Sequence, residues 1–241
     1  MESKIPKVRW EEMTPSEFAA ALAAKPVAYF PLGLLEWHGD HLPLGLDALK
    51  IHGICCRLAR EIGGVVMPPS YHNRPGFGSF IGTLTYSADL VTAMIQETLV
   101  QLEKCGFKAA LVITGHYGPV QVDTVKRAVA GFAAAGHTLR VWGGPEYEGL
   151  DPAPADHAGP WETSFALALF PELVSLDSFK RGPCPIRRYD PSWADPAYRE
   201  QEGREWIWSE DLRATAAKER GERAIRAIVD RAREVVEELL K

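Results

Sequence analysis

Three short stretches of this 241-residue chain concentrate the side chains able to do chemistry. The first reads Glu36-Trp37-His38-Gly-Asp40-His41-Leu-Pro-Leu-Gly-Leu-Asp47. The second is Thr114-Gly115-His116-Tyr117-Gly118. The third is Asp156-His157-Ala-Gly-Pro-Trp161-Glu162-Thr-Ser164. Carboxylate and imidazole donors without thiolate suit zinc, manganese or ferrous iron. Glu36 and His38 are two apart, so an extended backbone points both the same way. Asp47 has two oxygens and can bridge two cations; it can equally be a plain helix N-cap. His116 follows Gly115, which permits a tight turn. Two divalent ions held in this way would generate hydroxide near neutral pH and polarise a carbonyl. Each residue also has an ordinary reading, as a solvated loop carboxylate or a hydrogen-bonded loop histidine. Their convergence at strand ends is what favours ligation.

The elements that must position them follow from hydrophobic periodicity. Pro26–Leu32 reads as a buried strand, Val65–Met67 as a short one, Phe107–Thr114 as the clearest, and Thr138–Trp142 as a fourth. Between them, apolar residues recur at helical spacing over Asp47–Ile62, Ser87–Cys105, Val120–Ala135, Glu162–Leu169 and Glu219–Leu240. Gly63 and Gly106 are expected stops, and Ser87 an expected N-cap. Strands alternating with helices imply an α/β fold: one domain over 1–241, a mainly parallel sheet and helices on both faces. Ligands in such sheets sit beyond the carboxyl ends of the strands, where the three stretches fall. Residues 180–209 differ in texture, rich in Pro, Trp, Tyr and Arg, and read as an irregular segment over the body or an intersubunit arm. Arg187-Arg188 within it reads as a solvated pair.

The balance of 27 Lys and Arg against 32 Asp and Glu leaves a net charge of −5. No basic excess exists to neutralise a phosphate backbone, so nucleic acid is not the expected partner. No apolar run reaches the roughly 18 residues of a membrane span. The N-terminal stretch lacks an apolar core of the signal-peptide kind, and the four cysteines have no zinc spacing; both point to reduced thiols in the cytoplasm. Ser164 lacks the G-x-S-x-G surroundings of a hydrolase nucleophile.

The stretches Pro31–Asp47, Phe80-Ile-Gly82-Thr83-Leu, Thr114–Gly118 and His157–Ser164 resemble, in order, the motifs of the creatininase (creatinine amidohydrolase) family. The resemblance runs from about residue 8 to 180. It implies a single α/β domain, two divalent ions and a homo-oligomer, commonly a hexamer. By the same resemblance, Glu36, Asp47 and His116 hold one ion, and His38 and Asp47 hold the other, with Asp47 bridging. Glu162 matches an acidic residue in or beside that shell. His157 stands where creatininase proper has a catalytic histidine, which makes it the general acid/base candidate. One departure is clear. Creatininase proper has a glutamate two residues after the second-motif histidine, where it binds the second ion; here that position is Gly118. The second ion is then held more weakly, or Glu162 completes its site.

The expected activity is hydrolysis of a small cyclic amide or related C–N bond. Alternatives are the same ions acting on a sugar-like cyclic ketone, a lactone or a formamide, or a relative that binds without turnover. Trp37, Tyr117, Trp161 and His72 are the expected contacts to a small-molecule substrate. His41 is expected to hold its loop, and His52 and His137 to be structural or solvated.

Overall fold

In the computed structural model, which describes residues 7–74, 80–179 and 211–241, four strands form one sheet. They are β1 (Val27–Leu32), β2 (Val65–Val66), β3 (Ala109–Thr114) and β4 (Arg140–Pro145), in the order β2-β1-β3-β4, and every pairing is parallel. The helices are α1 (Pro15–Ala24), α2 (Leu46–Ile62), α3 (Ala88–Cys105), α4 (Pro119–Ala134), α5 (Pro160–Leu169), α6 (Leu212–Thr215) and α7 (Lys218–Leu239). The α/β fold with a parallel sheet is the one expected. The irregular segment at 180–209, with Arg187 and Arg188, lies outside the described residues.

β1 and β3 are buried along their whole length. That is why they read as continuous apolar runs: helices cover both faces of a parallel sheet. Successive side chains feed two cores. Val27 and Tyr29 of β1, with Leu111 and Ile113 of β3, pack against α2, α5 and α7. Ala28, Phe30 and Leu32, with Ala110 and Val112, pack against α1, α3 and α4. α7 presents Ala224, Ile225, Ile228, Val229, Ala232, Val235 and Val236, buried at three- and four-residue steps.

Two expectations change. β4 begins two residues later than its apolar pattern, because the Glu103 carboxylate takes the backbone N–H groups of Thr138 and Leu139 before the ladder can. It also runs through Gly143 and Gly144, since its pairing with β3 continues to Thr114↔Pro145. α1 went unread, although Thr14-Pro-Ser-Glu17 carries its signal. Thr14 accepts the Glu17 N–H while Glu17 accepts the Thr14 N–H, a reciprocal cap with Pro15 in the first turn.

The register aligns Leu32 of β1 with Thr114 of β3, and Thr114 with Pro145 of β4. The three strands therefore end together. The chain leaves β1 toward β2 on one side and returns to β3 on the other, so the strand order reverses between β1 and β3. Ligand sites in open α/β sheets lie beyond that reversal.

Candidate metal centre

Each functional side chain is brought to this rim by a local device. After β1 the chain loops through residues 33–45. The loop closes on itself by the Glu36 N–H to the Leu44 carbonyl, and is pinned from outside by the Trp37 N–H to the Thr83 hydroxyl. α2 starts with Gly45 as its N-cap, so Asp47 lies inside the first turn and its buried carboxylate is not the cap. After β3, the Thr114 hydroxyl accepts the His116 N–H and donates to the His116 carbonyl, closing a tight turn. Gly115 makes the close approach possible. A Cβ there would lie 2.4 Å from the Asp47 carbonyl oxygen and 3.0 Å from Ile51 Cβ. At the start of α5, the Asp156 carboxylate accepts the N–H groups of Gly159, Trp161 and Glu162, which fixes Glu162 in the first turn.

The side chains so placed form one buried cage. His116 Nδ1 lies 3.0 Å from Glu36 Oε2 and 3.1 Å from Asp47 Oδ2. His38 Nε2 lies 3.1 Å from Asp47 Oδ1 and 3.5 Å from Glu162 Oε2. Asp47 thus gives one oxygen to each group. The donor atoms of Glu36, Asp47 and His116 lie within 4.8 Å of one another, as do those of His38, Asp47 and Glu162. Ligands at about 2 Å from a shared zinc are spaced similarly. His157 Nδ1 stands at the edge, 3.8 Å from Glu36 Oε2.

The imidazoles are also oriented as ligands need. His38 Nδ1 is 3.0 Å from the Glu36 carbonyl oxygen, which can only accept, so Nδ1 carries the proton. Nε2 is left facing the carboxylates, buried and without a hydrogen-bond partner. A lone pair buried among carboxylate oxygens is repulsive unless a cation or a proton sits between them. The donor set therefore fits a divalent ion. By the same logic His157 donates from Nε2 to the Trp37 carbonyl at 2.9 Å, turning Nδ1 toward the cage.

The electrostatics state the same demand. Burial works against charge on His38, yet Asp47 and Glu162 outweigh it and hold the imidazole up to about 9. Burial is likewise overcome at His116 by Glu36 and Asp47, which raise it to about 10. Asp47 is resisted by burial but held well below the carboxylate range by His38 and His116. Glu36 is lowered in the same way, chiefly by His116. Burial pushes Glu162 up to about 7 against Lys50 and His38. Burial, then the neighbouring His38, brings His157 down to about 3.

Without an ion the cage thus holds protons on His38 and His116 at neutral pH. We predict that adding zinc at pH 7 releases protons. The apparent affinity will rise with pH and level off above about 9 to 10, where these imidazoles no longer compete. Calorimetric titration in buffers of different ionisation enthalpy measures the release. Heats that do not depend on the buffer would contradict the assignment.

The four expected substrate contacts are placed differently from one another. Trp37 lies by the cage, its ring 4.8 Å from Phe80 and 6.4 Å from His157. Tyr117 is adjacent too, but its hydroxyl donates to Glu146 Oε1. Trp161 packs on the α2–α5–α7 core with the Arg220 guanidinium 3.9 Å over its ring. His72 is exposed, edge-on to Tyr86. His41 ties its loop to the Ala158 carbonyl. His137 stacks on Phe132 and meets Glu103.

Two residues beside the cage escaped the sequence reading: Lys50 and Glu146, both buried, with their charged ends 3.0 Å apart. A signal existed for each. Lys50 is three residues after Asp47 and so shares its helix face. Glu146 directly follows β4, much as His116 follows β3.

A family model described as Creatininase, creatinine amidohydrolase, matches residues 11–236. A creatinine amidohydrolase of Pseudomonas putida is 29% identical over 88% of this chain and 89% of its own. A mycofactocin precursor peptide peptidase of Mycobacterium ulcerans is 30% identical over 65% of this chain and 64% of its own. A manganese creatininase structure superposes with a TM-score of 0.75 at 28% identity, covering 96% of this chain and 98% of that one. With a family model matching residues 11–236 and a creatininase structure superposing over 96% of its length, the chain belongs to the creatininase family of hydrolases.

Proposed function

We propose that this protein is a metal-dependent amidohydrolase that opens a small cyclic amide or a related C–N bond. The observation that carries the reading is the convergence of Glu36, Asp47 and His116, with His38 on the second oxygen of Asp47. Glu36, Asp47 and His116 would hold one divalent ion, and His38, Asp47 and Glu162 a second. Nitrogen and oxygen donors without thiolate suit zinc or manganese, with ferrous iron as a further option. When bound, such ions supply an activated water and polarise a carbonyl.

The protein's own groups do the rest. His157, neutral and aimed at the cage by the Trp37 carbonyl, takes a proton at Nδ1 and delivers it to the leaving nitrogen. Trp37, tilted against Phe80, walls the space beside His157 and suits a flat substrate. Tyr117 and Trp161 support the cage from behind in this scheme, and His72 stands at the outer edge. Both relatives' names denote cleavage of an amide, one in creatinine and one in a peptide, which favours C–N chemistry over ring ketones or lactones. We further propose a homo-oligomer working in the cytoplasm. Among the described residues no helix is long and apolar enough to cross a membrane.

Metal analysis of the purified protein tests the reading. The wild type will carry or take up zinc or manganese, while Glu36→Gln and His116→Ala will each lose at least about tenfold in affinity at the first site. Creatinine, cyclic imides, formamides, lactones and short peptides, screened by proton release, then sort the substrate class. A wild type that takes up neither ion would remove the mechanism.

A further inference from the structure

Lys50 is fully buried in the first turns of α2, and none of the roles above uses it. Its ammonium bonds Glu162 Oε1 at 3.1 Å, Glu146 Oε1 at 3.0 Å and the Tyr117 hydroxyl, and lies 4.0 Å over the Tyr117 ring. An ammonium has three protons, and here each has an acceptor. The Tyr117 hydroxyl donates in turn to the same Glu146 Oε1 that Lys50 holds, while Glu146 Oε2 is buried without a partner. A buried cation held this completely belongs to the built structure of the site, since leaving any member unpaired is costly.

Two consequences fall on the second ion position. First, Glu162 is divided: Oε1 is on Lys50, while Oε2 accepts the Ala158 N–H at 2.7 Å and faces His38. Only one of its oxygens points into the cage, beside a fixed positive charge. Second, no side chain enters from position 118. A Cβ on Gly118 would lie 2.8 Å from His116 Nε2, so the imidazole occupies that space. Among the described residues Lys50 bonds neither Glu36 nor His116, so the first position is spared the first effect.

We infer that Lys50 is a positioning residue whose fixed ammonium stands in for much of the second ion. The centre then binds one divalent ion tightly at Glu36, Asp47 and His116, and another only weakly at His38, Asp47 and Glu162. This rests on the proposed metal centre and refines it.

The test is a calorimetric titration of zinc, and separately manganese, into chelator-stripped full-length protein. Metal content after desalting is measured in parallel. The wild type will show one tight equivalent and a second at least about tenfold weaker. Lys50→Met removes the charge and frees Glu162 Oε1, and the second step will tighten by at least about tenfold while the first changes little. The double variant Lys50→Met/Glu146→Gln avoids a stranded buried carboxylate and will behave the same way. A purely structural lysine would weaken both steps together when removed. Two equally tight equivalents in the wild type would overturn the inference without any variant, as would an unchanged second step in a variant with a native circular dichroism spectrum. A wild type that binds no ion would instead overturn the metal centre itself.

Discussion

Asp47→Asn will weaken both ion positions at once, the tight one and the weak one. Asp47 is the one residue that faces both groups, with Oδ1 at His38 and Oδ2 at His116. The substitution keeps the shape and removes the charge. His38 and His116 then lose the carboxylate that holds their imidazoles in place, and each of the two groups loses its shared charged donor. We expect metal content to fall to a small fraction of the wild-type value and kcat/KM to fall by at least about a thousandfold, about 4 kcal/mol of transition-state stabilisation. Glu162→Gln leaves the Glu36–Asp47–His116 group intact, so it will leave more metal bound than Asp47→Asn. The check is elemental analysis with rates measured on the same preparation. A folded Asp47→Asn protein with wild-type metal content would show that the carboxylate does not bridge.

The second large effect separates proton transfer from ion binding. His157→Asn will lower kcat by about two to four orders of magnitude while metal content stays within error of the wild type. The side chain stands at the rim of the cage, 3.8 Å from Glu36, and owes its orientation to the Trp37 carbonyl. Burial, then the neighbouring His38, lowers it to about 3 without an ion, and the Trp37 carbonyl keeps its Nδ1 unprotonated toward the cage. The acid limb of the wild-type rate profile will therefore follow proton competition for the ions, not titration of His157. Raising the metal concentration will shift that limb to lower pH. Loss of metal from His157→Asn would mark the residue as a ligand instead.

The parts legible in the sequence share a physical cause. β1 and β3 are covered on both faces, so their burial is written as unbroken apolar runs that periodicity detects. Glu36, His38 and His116 stand just past the ends of those runs, and Asp47 opens the next helix, so strand-end reasoning finds them. Lys50 was illegible because its burial depends on acceptors drawn from distant segments: Glu146 past β4, Glu162 in α5 and Tyr117 past β3. Nothing near Lys50 in the chain announces them, and a lysine on a helix is ordinarily solvated. Trp161 shows the converse. Beside Glu162 in sequence, it was expected near substrate, yet neighbouring positions on a helix point about 100° apart, and its indole packs with Arg220 of α7.

The common ending of β1, β3 and β4 has a practical corollary. All the chemistry stands on one rim of the sheet, and the turn at Gly136 stands on the other, exposed, with open space around it. Six-residue strands separate the two rims by roughly 20 Å. A fluorophore or a surface tether on the exposed Ala135, beside Gly136, would sit a full strand length from the cage, so this protein can be immobilised there without reworking its catalytic loops.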